Sequence, residues 1–129
     1  MNSLNVELGE RSYPIFIGSN LFDDRKLISP FLGKSRVVVI TNSVVGPLYL
    51  ETVKGFLGFN YDSSIILPDG EEHKNLDSVG LIYDHLLRGK YDRKTILIAL
   101  GGGVVGDIVG FAAATFQRGI RFVQIPTTL

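Results

Sequence analysis

The sequence predicts an open α/β fold: a mostly parallel sheet flanked by helices and entered through an N-terminal β-hairpin. Three observations carry that prediction. From residue 36 onward, apolar runs of strand length alternate with segments of helical periodicity, the pattern of βαβ units with right-handed crossovers. Two of the runs, Val37-Val38-Val39-Ile40 and Thr95 to Leu100, are continuously apolar, as strands covered on both faces are. The breaks between elements carry turn formers, Pro68-Asp69-Gly70 and Gly101-Gly102-Gly103 among them.

The elements follow in order. Leu4 to Leu8 alternates apolar and polar, with Leu4, Val6 and Leu8 on one face, and predicts a half-buried strand. Gly9 to Ser12 makes a turn, and Tyr13 to Ile17 is the second arm of the hairpin. Ser19 or Asn20 caps a short helix through Ile28, which Pro30 ends. Arg36 to Ile40 is a buried strand closed by Thr41-Asn42-Ser43. A helix runs from Gly46 or Pro47 to Phe56, with Leu48, Leu50, Val53 and Leu57 as its apolar positions. Ser64 to Leu67 is a strand. Asn75 to Leu87 is a helix burying Leu76, Val79, Ile82, Tyr83, Leu86 and Leu87. Thr95 to Leu100 is a strand, Val104 to Phe116 a helix and Phe122 to Ile125 a last strand.

Composition narrows the function. At 129 residues and 45% hydrophobic, the sequence fits one domain with a core of its own. Thirteen Lys and Arg balance thirteen Asp and Glu, which argues against a nucleic-acid binder and a polybasic membrane binder. No cysteine means no disulfide and no thiolate metal site, and fits a reducing, cytoplasmic setting. The apolar stretch Thr95 to Phe116 approaches a membrane span in length. Its five glycines and Asp107 favour a buried strand, a glycine turn and a buried helix instead. The sequence stops just after Pro126-Thr127-Thr128, where such a unit is expected to continue into a helix, so residues 1–129 read as an N-terminal domain cut short.

Open α/β sheets bind ligands beyond the carboxyl ends of their strands. Four polar segments fall there: Thr41-Asn42, Asp69 to Lys74, Gly101-Gly102-Gly103 and Thr127-Thr128. The glycines let backbone N–H groups approach a phosphate, and the helix N-terminus at Val104 and Val105 adds partial positive charge. Against that stands a plain tight turn, since the triplet matches neither G-x-G-x-x-G nor a P-loop. Asp107 is either an acid favoured by the helix dipole or an acceptor for a ribose hydroxyl or nicotinamide group. Its apolar neighbours make an unpaired carboxylate costly and favour the second reading. The loop Asp69-Gly70-Glu71-Glu72-His73-Lys74 is either solvated or a ligand loop in which Glu71 accepts from a ribose and Lys74 meets phosphate. His73 has no partner histidine near it and His85 sits in a helix interior, so no metal site is expected. Arg118, before Gly119, is either a helix-terminal cation or a phosphate contact.

Four motifs then stand in order: Pro68-Asp69-Gly70-Glu71-Glu72-His73-Lys74; Gly101-Gly102-Gly103-Val104-Val105-Gly106-Asp107; Phe111 to Gly119, which holds Gln117-Arg118; and Gln124-Ile125-Pro126-Thr127-Thr128. Together with Leu8 to Ile15 they resemble the 3-dehydroquinate synthase family over essentially the whole length. The resemblance implies a Rossmann-like domain and an NAD-dependent lyase of the shikimate pathway. That family forms 3-dehydroquinate and phosphate from 3-deoxy-D-arabino-heptulosonate 7-phosphate, with NAD restored in each turnover. It implies NAD contacts at Asn42, at Asp69, Gly70, Glu71, Glu72, His73 and Lys74, at Gly102, Gly103, Val104, Val105, Gly106 and Asp107, and at Thr127 and Thr128. It implies a homodimer in which Arg118 reaches the neighbouring subunit's substrate phosphate. The family's divalent metal, zinc or cobalt, takes one Glu and two His from a helical C-terminal domain that this sequence lacks, so the 129 residues alone are expected to be inactive. Other sugar-phosphate cyclases, metal-dependent polyol dehydrogenases and a non-catalytic nucleotide-binding remnant are the alternatives.

Overall fold

The computed structural model describes residues 2–127. It has two sheets. β1 (Asn2–Val6) and β2 (Tyr13–Ile17) pair antiparallel as a hairpin, from Asn2 opposite Ile17 to Val6 opposite Tyr13. The second sheet is four parallel strands in the order β4-β3-β5-β6: β3 (Val37–Asn42), β4 (Tyr61–Leu67), β5 (Ile96–Gly101) and β6 (Arg121–Pro126). Helices α2 (Gly46–Leu57), α3 (Leu76–Arg88) and α4 (Gly103–Thr115) make the crossovers. The chain steps one way from β3 to β4, then back across β3 to β5 and onward to β6. The topological switch therefore lies between the carboxyl ends of β3 and β5.

The central strands are buried throughout, as their continuous apolar runs predict, and their side chains divide between two cores. Val37, Val39, Ile96, Ile98 and Leu100 meet Leu50, Val53, Phe56 and Leu57 of α2. Val38, Ile40, Leu97 and Ala99 meet α3 and α4 through Val79, Ile82, Leu86, Val105, Val109 and Ala112. The strand period of two thus places helices on both faces. Among the described residues no helix is long and apolar enough to cross a membrane.

Several details depart from the sequence reading. β1 ends at Val6, and the hairpin is not half-buried: Leu4 and Ile17 are more than half exposed, because the hairpin forms a sheet of its own. The expected helix from residue 19 to 28 is two single 3₁₀ turns, Leu21–Asp23 and Arg25–Leu27. Asn20 is left-handed and caps nothing. Pro30 does not end a helix but begins one, α1 (Ser29–Leu32), where its missing N–H leaves no bond unmade. Leu48, Leu76 and Leu87 are exposed. Leu87 falls out of phase with the buried Val79, Ile82 and Leu86, and Gly46 rather than Leu48 takes the buried place beside Thr41.

Away from the helix N-termini a polar group ties β4 to α3. Tyr91 hydroxyl donates to Asp62, Arg36 pairs with Asp62 at 3.1 Å and stacks over the Tyr91 ring, and Ser63 Oγ lies 2.8 Å from His85 Nε2. The Tyr91 and Arg36 hydrogen bonds hold the Asp62 carboxyl below its ordinary range. Burial holds the His85 imidazole below its own, with the Asp62 charge opposing. Both are lowered shifts, so both groups bind more protons unfolded than folded, and stability rises with pH through each window. We expect urea midpoints to be level near neutrality, to fall as pH drops below about 6.5 where unfolded histidine charges, and to fall again in the carboxylate range. His85→Gln should remove the first decline alone, and an unchanged first decline in that variant rules His85 out as its source.

Candidate functional site

The carboxyl ends of β3, β4 and β5 each lead to the N-terminus of a helix, and the three ends are finished differently. Ahead of α2, Asn42 Oδ1 accepts from the Val44 and Val45 N–H groups at 3.0 and 2.8 Å. At α3, Asn75 caps by accepting from the Ser78 N–H at 3.1 Å. At α4 the cap position is Gly102, which has no side chain to offer. The orphan N–H groups of that first turn are therefore left to whatever binds there. The backbone there is shaped for close approach. A Cβ built on Gly103 meets no atom within 4 Å, so the space above it is open. Gly101 differs, since a Cβ there would stand 3.0 Å from Val105 Cγ2.

A cleft of ≈ 200 Å³ opens over this turn, bounded by Gly101, Gly102, Gly103, Gly106, Asp107 and Gln124 among others. It lies over the ends of β5 and β6 rather than over the β3/β5 switch itself. Val104 and Val105 turn their side chains into the core, Val105 fully, so only their backbones can face a ligand. Thr127 donates its N–H to Gly101 carbonyl at 3.1 Å, and its Oγ1 is buried with no partner among the described residues. Thr128 lies outside the described residues.

The loop after β4 reaches this cleft through one ion pair. Lys74 Nζ stands 2.7 Å from Asp107 Oδ2 and 3.8 Å from Glu71 Oε1, and the Asp107 hydrogen bond raises the lysine above its ordinary range. That pair corrects the argument for Asp107: the carboxylate is exposed and partnered, so desolvation of an unpaired charge says nothing about its role. Asn42 Nδ2 donates to Asp69 Oδ1 at 3.1 Å, which fixes the start of the loop to the end of β3. Gly70 turns the loop at φ 120°, a conformation that favours glycine. Glu72 Oε1 and His73 Nε2 lie 3.8 Å apart within it. Of the sequence-predicted residues, Gly102, Gly103, Gly106 and Asp107 line the cleft, Lys74 reaches it through its ion pair, Asn42 and Asp69 stand together at the ends of β3 and β4, and Thr127 bonds Gly101 beside it.

Arg118 does not join them. It closes Phe116–Arg118, a 3₁₀ turn beyond the far end of α4, a helix roughly 20 Å long by its 13 residues. Gln117 and Arg118 are both left-handed, at φ 50° and 67°, a backbone arrangement that costs about 1–2 kcal/mol per non-glycine residue. The exposed Arg118 side chain makes no ion pair or hydrogen bond to offset it among the described residues. Sequence reasoning missed Gln124 as a cleft residue. The one signal was an amide between Val123 and Ile125 in an otherwise apolar strand. No group of three or more His, Cys, Asp or Glu able to hold a metal occurs among the described residues.

The family model described as 3-dehydroquinate synthase N-terminal matches residues 64–129. The chain is 54% identical over all 129 residues to a protein of Pseudomonas aeruginosa (strain LESB58) named 3-dehydroquinate synthase. It is 52% identical over 130 residues to the protein of that name from Hydrogenovibrio crunogenus. It spans 35% and 36% of their lengths. Among solved structures, 2-deoxy-scyllo-inosose synthase superposes with a TM-score of 0.86 at 22% identity, over 98% of this chain and 36% of that one, and shows the fold alone. ValA, the 2-epi-5-epi-valiolone synthase of Streptomyces hygroscopicus subsp. jinggangensis 5008 with NAD+ and Zn2+ bound, superposes with a TM-score of 0.78 at 28% identity. That match covers 95% of this chain and 34% of that one.

Proposed function

The chain belongs to the 3-dehydroquinate synthase N-terminal family, and from that premise we propose that residues 1–129 are the NAD-binding domain of a 3-dehydroquinate synthase. The observation that carries the reading is the uncapped α4 N-terminus at a glycine turn with open space above Gly103. The residues fit the cofactor. The first N–H groups of α4, from Gly103 on, suit its pyrophosphate. Asp107 offers an acceptor to a ribose hydroxyl, and the buried, unpartnered Thr127 Oγ1 offers a further polar contact. The loop Asp69 to Lys74, held by Asn42, takes the adenosine side. Bound there, NAD supplies reversible removal of hydride from a substrate hydroxyl. This chain's own part is to hold and orient the dinucleotide, with Lys74 holding the Asp107 carboxylate in place through their ion pair. The metal of the proposed whole enzyme finds no ligand set among the described residues.

The reaction proposed for the whole protein is phosphate elimination from 3-deoxy-D-arabino-heptulosonate 7-phosphate and closure to 3-dehydroquinate, in a homodimer. The full-length gene product that carries this sequence should release phosphate from that heptulosonate only when NAD is present. No reduced nicotinamide should accumulate, because the hydride returns within the turnover. Stoichiometric build-up of reduced nicotinamide replaces this reading with a polyol dehydrogenase, and failure to bind NAD at all replaces it with a non-catalytic module.

A further inference from the structure

α4 presents two glycines one turn apart to β6, Gly106 and Gly110, and each faces a side chain of that strand. A Cβ on Gly110 would stand 3.5 Å from Phe122 Cζ, and one on Gly106 would stand 3.3 Å from Gln124 Nε2. Phe122 and Gln124 are two residues apart and so share one face of β6. The first contact is ordinary packing of a ring against a helix. The second is not, because the next side chain in the row is an amide. Gln124 is exposed, lines the cleft beside Gly106 and Asp107, and has no hydrogen-bond partner among the described residues. An amide offers one donor group and one acceptor side by side, and packing alone does not require either.

The sheet order says which part of a ligand would meet it. With a pyrophosphate at the β5 turn, one nucleoside lies toward β3 and β4, where Asn42 and the Asp69–Lys74 loop stand. The other lies toward β6, over Gln124. The geometry points to Gln124 as a specificity-determining residue whose amide takes a neutral donor–acceptor group on this second nucleoside. This inference rests on the reading of the cleft as a dinucleotide site. Two groups of a nicotinamide nucleotide have that chemistry, the ribose hydroxyls and the carboxamide of the base. A glycine at 106 leaves room for the amide, since a Cβ there would press on its nitrogen.

The test is calorimetric titration of the full-length gene product, parent and Gln124→Leu, with NAD, ADP-ribose and ADP. Gln124→Leu should bind NAD about 5- to 10-fold more weakly, the loss of one neutral hydrogen bond, with ADP affinity unchanged. ADP-ribose affinity falls with that of NAD if the partner is the ribose, and stays level if it is the carboxamide. Gly106→Ala, which displaces the amide without removing it, should show the same ligand pattern with a smaller loss. Equal weakening of all three ligands, or unchanged NAD affinity in a variant that melts like the parent, overturns the assignment. A parent that binds none of the three overturns the cofactor reading itself, and that result is seen before any variant is made.

Discussion

Gly103→Val is expected to fold like its parent and to bind NAD about 10- to 100-fold more weakly, the range for losing one to two charge-assisted hydrogen bonds. The free protein has no use for glycine at this position. The residue is helical, the space where a Cβ would point is open, and valine is a better helix former than glycine. On the proposed reading, what a side chain there would meet is the ligand, held by the N–H groups of the same turn. Gly101 is the contrast that makes the test specific. A Cβ on Gly101 runs into Val105 within the protein, so Gly101→Val should lower the thermal midpoint whether or not any ligand is present. Calorimetric titration beside thermal melts separates the two outcomes. Undiminished NAD affinity in a folded Gly103→Val protein takes the glycine turn out of the cofactor site.

Why the turn was legible in the sequence while parts of its surroundings were not follows from how far each signal reaches. The strands at Val37 and Ile96 announce themselves, because a strand covered on both faces must be apolar at every position and few other environments ask for that. The convergence of strand ends follows from the βαβ order alone. The Lys74–Asp107 pair does not. It joins residues 33 positions apart, and nothing in either segment specifies the other. The composition around Asp107 was misleading for a related reason: its neighbours in sequence are apolar because they face the core, while the carboxylate projects from the opposite side of the helix. The hairpin failed similarly. Alternation in Leu4, Val6 and Leu8 marks a face meant for contact, yet within the described residues nothing covers it. A proline in sequence can stop a helix or begin one; Pro30 begins one, and only the turn at Gly33, φ 55°, shows where that helix ends.

Arg118→Ala is expected to lower kcat/KM of the full-length gene product by about 100-fold or more while leaving the melt and NAD affinity nearly unchanged. Two observations separate this from the outcome for a surface cation. Arg118 lies beyond the far end of α4 from the cleft, so its own cofactor is out of reach. The left-handed backbone at Gln117 and Arg118 projects a guanidinium that makes no described contact within the chain. A helix-terminal cation contributes only about 0.3–1 kcal/mol and leaves catalysis untouched. A clamp on a neighbour's phosphate acts on the leaving group and nowhere else. Arg118→Lys should restore only part of the rate, since an ammonium cannot make the planar two-point contact. Mixing decides between the neighbour's site and the subunit's own. In a dimer of one Arg118→Ala subunit and one Gly103→Val subunit, a cross-subunit arginine gives one site with both defects and one with neither, so activity returns on mixing. If Arg118 serves its own subunit, each site keeps one defect, mixing recovers nothing, and the cross-subunit role is lost.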